Sequence, residues 1–263
     1  MKNIVAGLLV LAAMSPLSAK IVVQPVPYQH DGAKLEGVLV YDSAKTAAGK
    51  LPGVLVLPEW WGLTDYPVSR ARQLAAMGYV AFAADMYGAG VTTTDPKRAG
   101  ALAGPFYGKP LMAARARAGL DQLLASGLVD GQRVAAIGFC FGGSTAMALA
   151  YSGAPLVGIV SFHGGPIPAT PEAAARNHAK FLICHGAADP FTPKEQLDGF
   201  LASLDENHID YEFALYSGAK HAFTNPEATK LAQATGLTGI GYDAEAAGRS
   251  WQLMRDFLQE VFR

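Results

Sequence analysis

The sequence predicts an α/β fold with a mostly parallel central sheet, helices on both faces and an antiparallel hairpin at the N-terminal edge. Three observations lead to this prediction. Short apolar runs alternate with helix-like patterns along most of the chain. Several runs, such as residues 53–57, are continuously apolar, as in strands covered on both faces. Half of the 263 residues are hydrophobic, and no linker or repeat divides the chain, so residues 20–263 are expected to form one domain.

The first 19 residues have the pattern of a secretory signal peptide. Lys2 precedes an apolar stretch that is too short to span a bilayer, and small residues end the segment at Ala19. We expect cleavage after Ala19 and a periplasmic or secreted protein. Because Lys20 follows, and not a cysteine that could carry a lipid, no membrane anchor is expected. A buried N-terminal strand is the alternative. The net charge of −1 gives no sign of a nucleic-acid partner.

Turn and cap residues separate the predicted elements. Asp31-Gly32 provides the turn of the hairpin, and Gly78 ends the first helix. The predicted strands are 22–28, 34–41, 53–57, 79–84, 133–138, 156–162, 180–185 and 211–216. The predicted helices are 64–77, 96–102, 111–126, 144–151, 192–207 and 243–262. The segment 89–110, rich in Gly, Thr and Pro, lies on the rim where the strands end, so it could cover a site there.

The central motif is Gly-x-Cys-x-Gly-Gly at residues 138–143, between a predicted strand and a predicted helix. This spacing fits a nucleophile elbow, in which a strained turn exposes one side chain and glycines remove Cβ clashes. The reacting atom would be Sγ of Cys140. An inert, buried cysteine is the alternative. A phosphate-binding loop fits poorly, because Ser144 stands where that motif needs a lysine.

A cysteine nucleophile needs a base, because at an ordinary pKa of about 8.5 only a few per cent is thiolate at neutral pH. Candidates follow the predicted strands, at the sheet edge where α/β proteins bind ligands. These are Glu59, Asp85, Cys140, His163, Asp189 and His221. The chain order nucleophile, acid, histidine selects Cys140, Asp189 and His221. Taken singly, Asp189 could cap a turn and His221 could be a solvated loop residue.

Four segments resemble the landmarks of the dienelactone hydrolase family, and together they span nearly all of residues 20–263. They are Pro-Glu-Trp-Trp-Gly at 58–62, Gly-Phe-Cys-Phe-Gly-Gly at 138–143, Gly-Ala-Ala-Asp-Pro at 186–190 and Gly-Ala-Lys-His-Ala-Phe at 218–223. The resemblance implies an α/β-hydrolase fold, a Cys140-His221-Asp189 triad and no cofactor. It further implies that Glu59 contacts the thiol and helps to take its proton. The backbone N–H groups of Trp60 and Phe141 would form the oxyanion hole.

The chain departs from family members that act on dienelactone. Those members hold the substrate carboxylate with two arginines, where this sequence has Ala89 and Asn225. Without that pair an anionic lactone loses its anchor. Aromatic residues near the landmarks indicate an apolar pocket, unless they belong to the core. The expected pocket residues are Trp61, Tyr87, Phe223 and Asn225, beside Trp60 and Phe141. The substrate is therefore expected to be a small ester or lactone, cleaved through a thioester by a monomeric enzyme.

The residues alone are compatible with other interpretations. A non-catalytic small-molecule-binding protein could use the same fold. In an oxidising compartment Cys140 could pair with Cys184, although Cys184 lies in an apolar strand pattern typical of a buried residue. Ser144 is a weak alternative nucleophile because it lies inside the predicted helix. No metal-ligand spacing occurs in the sequence, so no metal is expected.

Overall fold

The computed structural model describes residues 20–263, so the predicted signal peptide at 1–19 lies outside the described residues. The strands are β1 (Ile21–His30), β2 (Ala33–Asp42), β3 (Leu51–Leu57), β4 (Val80–Ala83), β5 (Val129–Phe139), β6 (Gly158–Phe162), β7 (Lys180–Gly186) and β8 (Tyr211–Tyr216). The helices are α1 (Ser43–Thr46), α2 (Asp65–Met77), α3 (Pro96–Ala103), α4 (Leu111–Ala125), α5 (Phe141–Tyr151), α6 (Pro171–Ala174), α7 (Lys194–Glu206), α8 (Ala228–Thr235) and α9 (Ala244–Val261).

The strands of the described chain form one sheet in the order β1-β2-β4-β3-β5-β6-β7-β8. The pairs β1–β2 and β2–β4 are antiparallel, and every other pair is parallel. Asp31 and Gly32 both have positive φ in the hairpin turn, as a two-residue connection between antiparallel strands requires. The predicted fold class is confirmed.

The core lies in two layers, one on each face of the sheet. Leu55 and Leu57 of β3 pack into the layer covered by α4, α5 and α7. Val54 and Val56 of the same strand pack into the layer covered by α2 and α9. Successive side chains of a strand point to opposite faces, so a continuously apolar strand is what two covered faces require.

The short helices α1, α6 and α8 were not predicted. Helix α8 is the important one, because it lies between His221 and α9. It buries Ala228, packs Leu231 beside Ile240 and ends at Gly236, whose φ is +76°. This small third cluster holds the chain that follows His221 against the rim of the sheet. Within residues 20–263, no helix combines the length and apolar character needed to cross a bilayer.

Candidate active site

Cys140 occupies the sharp turn between β5 and α5. Its φ is +54°, an uncommon and strained value for a residue with a Cβ. A Cβ at Gly142 would collide with the carbonyl oxygen of Leu57, and one at Gly138 with that of Gly142. The glycines therefore let β3, β5 and α5 meet closely while the side chain of Cys140 stays partly exposed.

Both cysteines are free thiols. Cys184 is fully buried in β7, where Oη of Tyr216 donates to its Sγ at 3.8 Å. Burial raises the pKa of the Cys184 thiol to about 12. The structure therefore contradicts the alternative of a Cys140–Cys184 disulfide, and it leaves Cys184 as an inert packing residue.

The loops after β7 and β8 bring Asp189 and His221 to the elbow. Nδ1 of His221 donates a hydrogen bond to Oδ2 of Asp189 at 2.7 Å. His221 and Cys140 line the same cavity. Burial opposes a charge on the imidazole, but the charge of Cys140, followed by the hydrogen bond to Asp189 and the charge of Asp189, raises the pKa of His221 to about 10. This arrangement favours an imidazolium that can donate a proton.

The second oxygen of Asp189 accepts a hydrogen bond from the backbone N–H of Phe191 at 2.9 Å. His185 lies 3.9 Å from Asp189, but burial lowers the pKa of His185 and keeps it neutral. Asp189 is itself 7% exposed. Its carboxylate is therefore fixed from both sides and can hold the ring of His221 in one orientation.

The backbone N–H groups of Trp60 and Phe141 donate to no other backbone group in the part of the chain that the structure describes. Phe141 is the first residue of α5, where the helix dipole favours negative charge. Both residues line the same cavity as Cys140. These two groups have the properties of an oxyanion hole.

A cavity of about 260 Å³ opens in front of Cys140. It is lined by Trp60, Tyr107, Cys140, Phe141, Gly165, Phe191, Thr192, His221, Leu237 and Ile240. Among these described lining residues there is no lysine or arginine. Lys220 instead donates from Nζ to the carbonyl oxygen of Thr238 at 2.9 Å. The cavity is thus mainly apolar and offers a substrate carboxylate no cationic side chain apart from His221.

Glu59 does not hydrogen-bond Cys140 in the described structure. Its Oε2 accepts a hydrogen bond from Nδ2 of Asn225 at 2.6 Å, and both side chains are buried. Burial raises the pKa of Glu59 to about 7, although the hydrogen bond from Asn225 and the charges of His221 and Arg70 oppose this rise. Glu59, Asn225 and Trp61 line a second cavity of about 430 Å³.

The structure places the four predicted pocket residues away from the wall of the cavity at Cys140. Phe223 is fully buried in the core between Tyr216 and His163, so its assignment to the pocket is wrong. Trp61 and Asn225 line the second cavity and not the one at Cys140. Tyr87 donates from Oη to the carbonyl oxygen of Trp60 at 3.1 Å, and its ring packs against Phe141. Tyr87 therefore supports two lining residues and does not line the cavity itself.

His163, which the sequence places in a rim loop, is fully buried behind the elbow. Its Nδ1 accepts from the backbone N–H of Cys140 at 3.1 Å. Nε2 must then carry the proton, which it donates to Oγ1 of Thr224 at 2.7 Å. Oγ1 of Thr224 also forms a hydrogen bond with Oη of Tyr66, at 2.7 Å. Burial, together with the charges of His221 and His185, lowers the pKa of His163 and keeps the ring neutral.

The cavity wall also contains five residues that were not predicted from the sequence: Tyr107, Phe191, Thr192, Leu237 and Ile240. Tyr107 comes from the segment 89–110, which was expected near the rim. Phe191 lies only two residues after Asp189, which was the available signal for it. Leu237 and Ile240 follow α8, an element that was not predicted.

Comparisons with known proteins agree with one another. A family model described as the dienelactone hydrolase family matches residues 37–262. The chain is 38% identical to a dienelactone hydrolase-like promiscuous phosphotriesterase from metagenomic libraries, with a TM-score of 0.87 over 94% of this chain and 100% of that one. It is 40% identical to the solved structure m3DLH, with a TM-score of 0.86 over 92% and 99% of the two chains. It is 25% identical to the carboxymethylenebutenolidase of Rhodococcus opacus, over 89% of this chain and 86% of that protein.

Proposed function

This chain belongs to the dienelactone hydrolase family and is an ester or lactone hydrolase; we propose that it cleaves small neutral substrates with Cys140 as the nucleophile. The observation that carries the proposal is the placement of Cys140 in one cavity with His221, whose Nδ1 is hydrogen-bonded to Asp189. That cavity is mainly apolar. A thiol that is partly exposed and paired with a histidine fits nucleophilic catalysis better than it fits a passive binding site.

Acylation begins when the thiolate of Cys140 attacks the carbonyl carbon. The C=O electron pair moves onto oxygen, where the N–H groups of Trp60 and Phe141 stabilise the negative charge. Collapse of this intermediate breaks the bond between carbon and the leaving oxygen. The imidazolium of His221 protonates the departing alkoxide, which leaves a thioester on Cys140 and a neutral imidazole.

Deacylation reverses these roles. The neutral His221 takes a proton from water as the water oxygen attacks the thioester. The second intermediate expels the thiolate of Cys140 and releases the carboxylic acid, so that one water is consumed per ester cleaved. Asp189 keeps the ring of His221 oriented through both steps.

Glu59 is proposed as a second proton acceptor for the thiol, as the family resemblance implies. A pKa of about 7 suits a carboxyl that exchanges a proton near neutral pH. To reach Cys140 its side chain must leave the hydrogen bond from Asn225. Asn225 is uncharged, so this separation breaks no ion pair.

The proposed location is the periplasm or the medium, after removal of residues 1–19. The support is the order of a positive charge, an apolar stretch and small residues at the start of the chain. Expression of the full chain followed by N-terminal sequencing of the exported protein tests this. A mature N-terminus at Lys20 is expected, and an intact Met1 terminus on a protein retained in the cytoplasm would contradict the proposal.

The test of activity uses two esters with one leaving group, p-nitrophenyl butyrate, which is neutral, and p-nitrophenyl hemisuccinate, which is anionic. Wild type is expected to prefer the neutral ester, because the cavity lacks lysine and arginine. Cys140→Ala should reduce cleavage by at least about 10³-fold, as for other lost nucleophiles. Cys184→Ala is the matched control and should retain activity. Mass spectrometry of His221→Ala should find the acyl group on Cys140.

Three results would contradict this proposal. Undiminished cleavage by Cys140→Ala would exclude Cys140 as the nucleophile. Preference for hemisuccinate would mean that another group binds carboxylates. Failure of folded wild type to cleave either ester would favour the alternative of a small-molecule-binding protein.

A further inference from the structure

Two of the four large apolar side chains that are exposed in the described chain line the cavity at Cys140. They are Tyr107, 49% exposed, and Phe191, 53% exposed. The other two, Leu215 and Tyr242, lie elsewhere. A single exposed aromatic ring is common on protein surfaces, but Phe191 is exposed at the wall of the cavity that contains Cys140. Its ring is therefore placed to contact a bound substrate.

The position of Phe191 is set by the catalytic carboxylate. One oxygen of Asp189 accepts a hydrogen bond from the backbone N–H of Phe191 at 2.9 Å, and the other accepts one from Nδ1 of His221 at 2.7 Å. The rings of Phe191 and His221 meet edge to face, with centroids 5.2 Å apart and an interplanar angle of 89°. The exposed ring is thus fixed relative to the group that protonates the leaving oxygen.

The ring also packs against the backbone at Gly239. A Cβ at this position would lie 2.6 Å from Cγ of Pro190 and 2.8 Å from Cζ of Phe191. The carbonyl oxygen of Gly239 accepts the backbone N–H of His221 at 3.2 Å. Gly239 therefore contacts both the loop of His221 and the ring of Phe191. This contact limits the conformational freedom of the Phe191 side chain before substrate binds, so less entropy is lost on binding.

In the proposed mechanism the two parts of an ester would occupy different sides of this cavity. The carbonyl oxygen would lie between the N–H groups of Trp60 and Phe141, so the acyl group would start on their side. The leaving oxygen must come within about 3 Å of Nε2 of His221 to receive its proton. The alcohol group attached to that oxygen then starts beside the ring of His221, where Phe191 lies.

From this geometry we propose that Phe191 is a specificity residue for the alcohol group and that the preferred substrates are esters of aromatic alcohols. This inference rests on the proposed function, because it needs His221 as the acid that serves the leaving group. An aromatic ring gains from an edge-to-face or offset contact with Phe191 beyond the area it buries. A saturated ring of similar size buries a similar area and lacks that gain.

The test compares benzyl acetate with cyclohexylmethyl acetate by pH-stat. Both release a primary alcohol with a six-membered ring and share the acetyl group, so they differ in aromaticity. The ratio of their kcat/KM values is expected to fall by about two- to tenfold in Phe191→Leu, the range that an aromatic pair provides. Tyr242→Leu is the matched control, because Tyr242 is also exposed but lies outside this cavity, and its ratio should equal that of wild type.

A second pair distinguishes the two sides of the cavity. Methyl phenylacetate and methyl cyclohexylacetate place the same two rings on the acyl group, and Phe191→Leu should leave their ratio unchanged. Inhibition of p-nitrophenyl acetate cleavage by benzyl alcohol and by cyclohexylmethanol gives a measurement without turnover of the test esters. Benzyl alcohol should inhibit wild type more strongly, and Phe191→Leu should lose this difference.

The inference would be overturned if Phe191→Leu left the kcat/KM ratio of benzyl acetate to cyclohexylmethyl acetate unchanged. It would also be overturned if Phe191→Leu changed only the ratio of methyl phenylacetate to methyl cyclohexylacetate. Cleavage that survives Cys140→Ala would instead overturn the proposed function, whatever the ratios are. The two failures are therefore distinguishable in one set of measurements.

Discussion

Replacing Glu59 by Gln is expected to stabilise the protein more at pH 8 than at pH 5. Glu59 is 3% exposed, and burial raises its pKa from 4.5 to about 7. The folded protein thus holds a proton that the unfolded chain releases. The carboxyl contributes its full stability below pH 4.5, and this contribution is lost as the pH rises through about 7. Gln keeps an oxygen that can accept from Asn225 and does not ionise.

The expected magnitude follows from the two pKa values. At about 1.4 kcal/mol per pKa unit, ionising Glu59 at pH 8 costs the folded state about 3 kcal/mol relative to the unfolded chain. At pH 5 the folded carboxyl remains protonated, and the corresponding cost is about 1 kcal/mol. The stability of Glu59→Gln relative to wild type should therefore increase by about 2 kcal/mol between pH 5 and pH 8.

Urea unfolding at both pH values, followed by tryptophan fluorescence, measures this difference. Titration of the other groups cancels when the variant is subtracted from wild type. Glu206→Gln is the control, because Glu206 is exposed at the end of α7 and its replacement removes a carboxylate without altering a buried site. A Glu59→Gln effect that is the same at pH 5 and pH 8 would refute the reasoning, since it would mean that Glu59 has similar pKa values in the folded and unfolded states.

Two further predictions concern the histidines. His163→Phe keeps an aromatic ring but removes the hydrogen bonds to Cys140 and Thr224, so it should lower the free energy of unfolding in urea by about 2 kcal/mol. Thr224→Val should lower the free energy of unfolding less in the His163→Phe background than in wild type. Additive losses would contradict a hydrogen bond shared by the two side chains. Cys140→Ala removes the side chain whose charge raises the pKa of His221, so this pKa should fall below about 10 when followed by NMR, with Cys184→Ala as the unchanged control. An unaltered titration of His221 in Cys140→Ala would show that the two side chains do not interact.

The order and type of the main elements could be predicted because they depend on local patterns. Continuous apolar runs indicated β3, β5 and β7 as strands covered on both faces, and Gly78 marked the end of α2. The elbow could be recognised because its glycines have a local steric role beside Cys140. Asp189 and His221 could be selected from their place after successive strands, since parallel strands carry their following loops to one edge of the sheet.

The sequence alone therefore determined the fold class, the candidate nucleophile and the side of the sheet where its partners lie. Only the tertiary structure decided which side chains share a cavity. Glu59 and Asn225 form a hydrogen bond although they are 166 positions apart in the sequence. Phe223 is buried in the core, and Phe191 lines the cavity where Trp61 and Phe223 were expected. The physical reason is that periodicity reports which face of an element is buried, whereas a loop side chain takes its direction from backbone turns and from distant residues packed against it. At Phe191 those residues are His221 and Gly239.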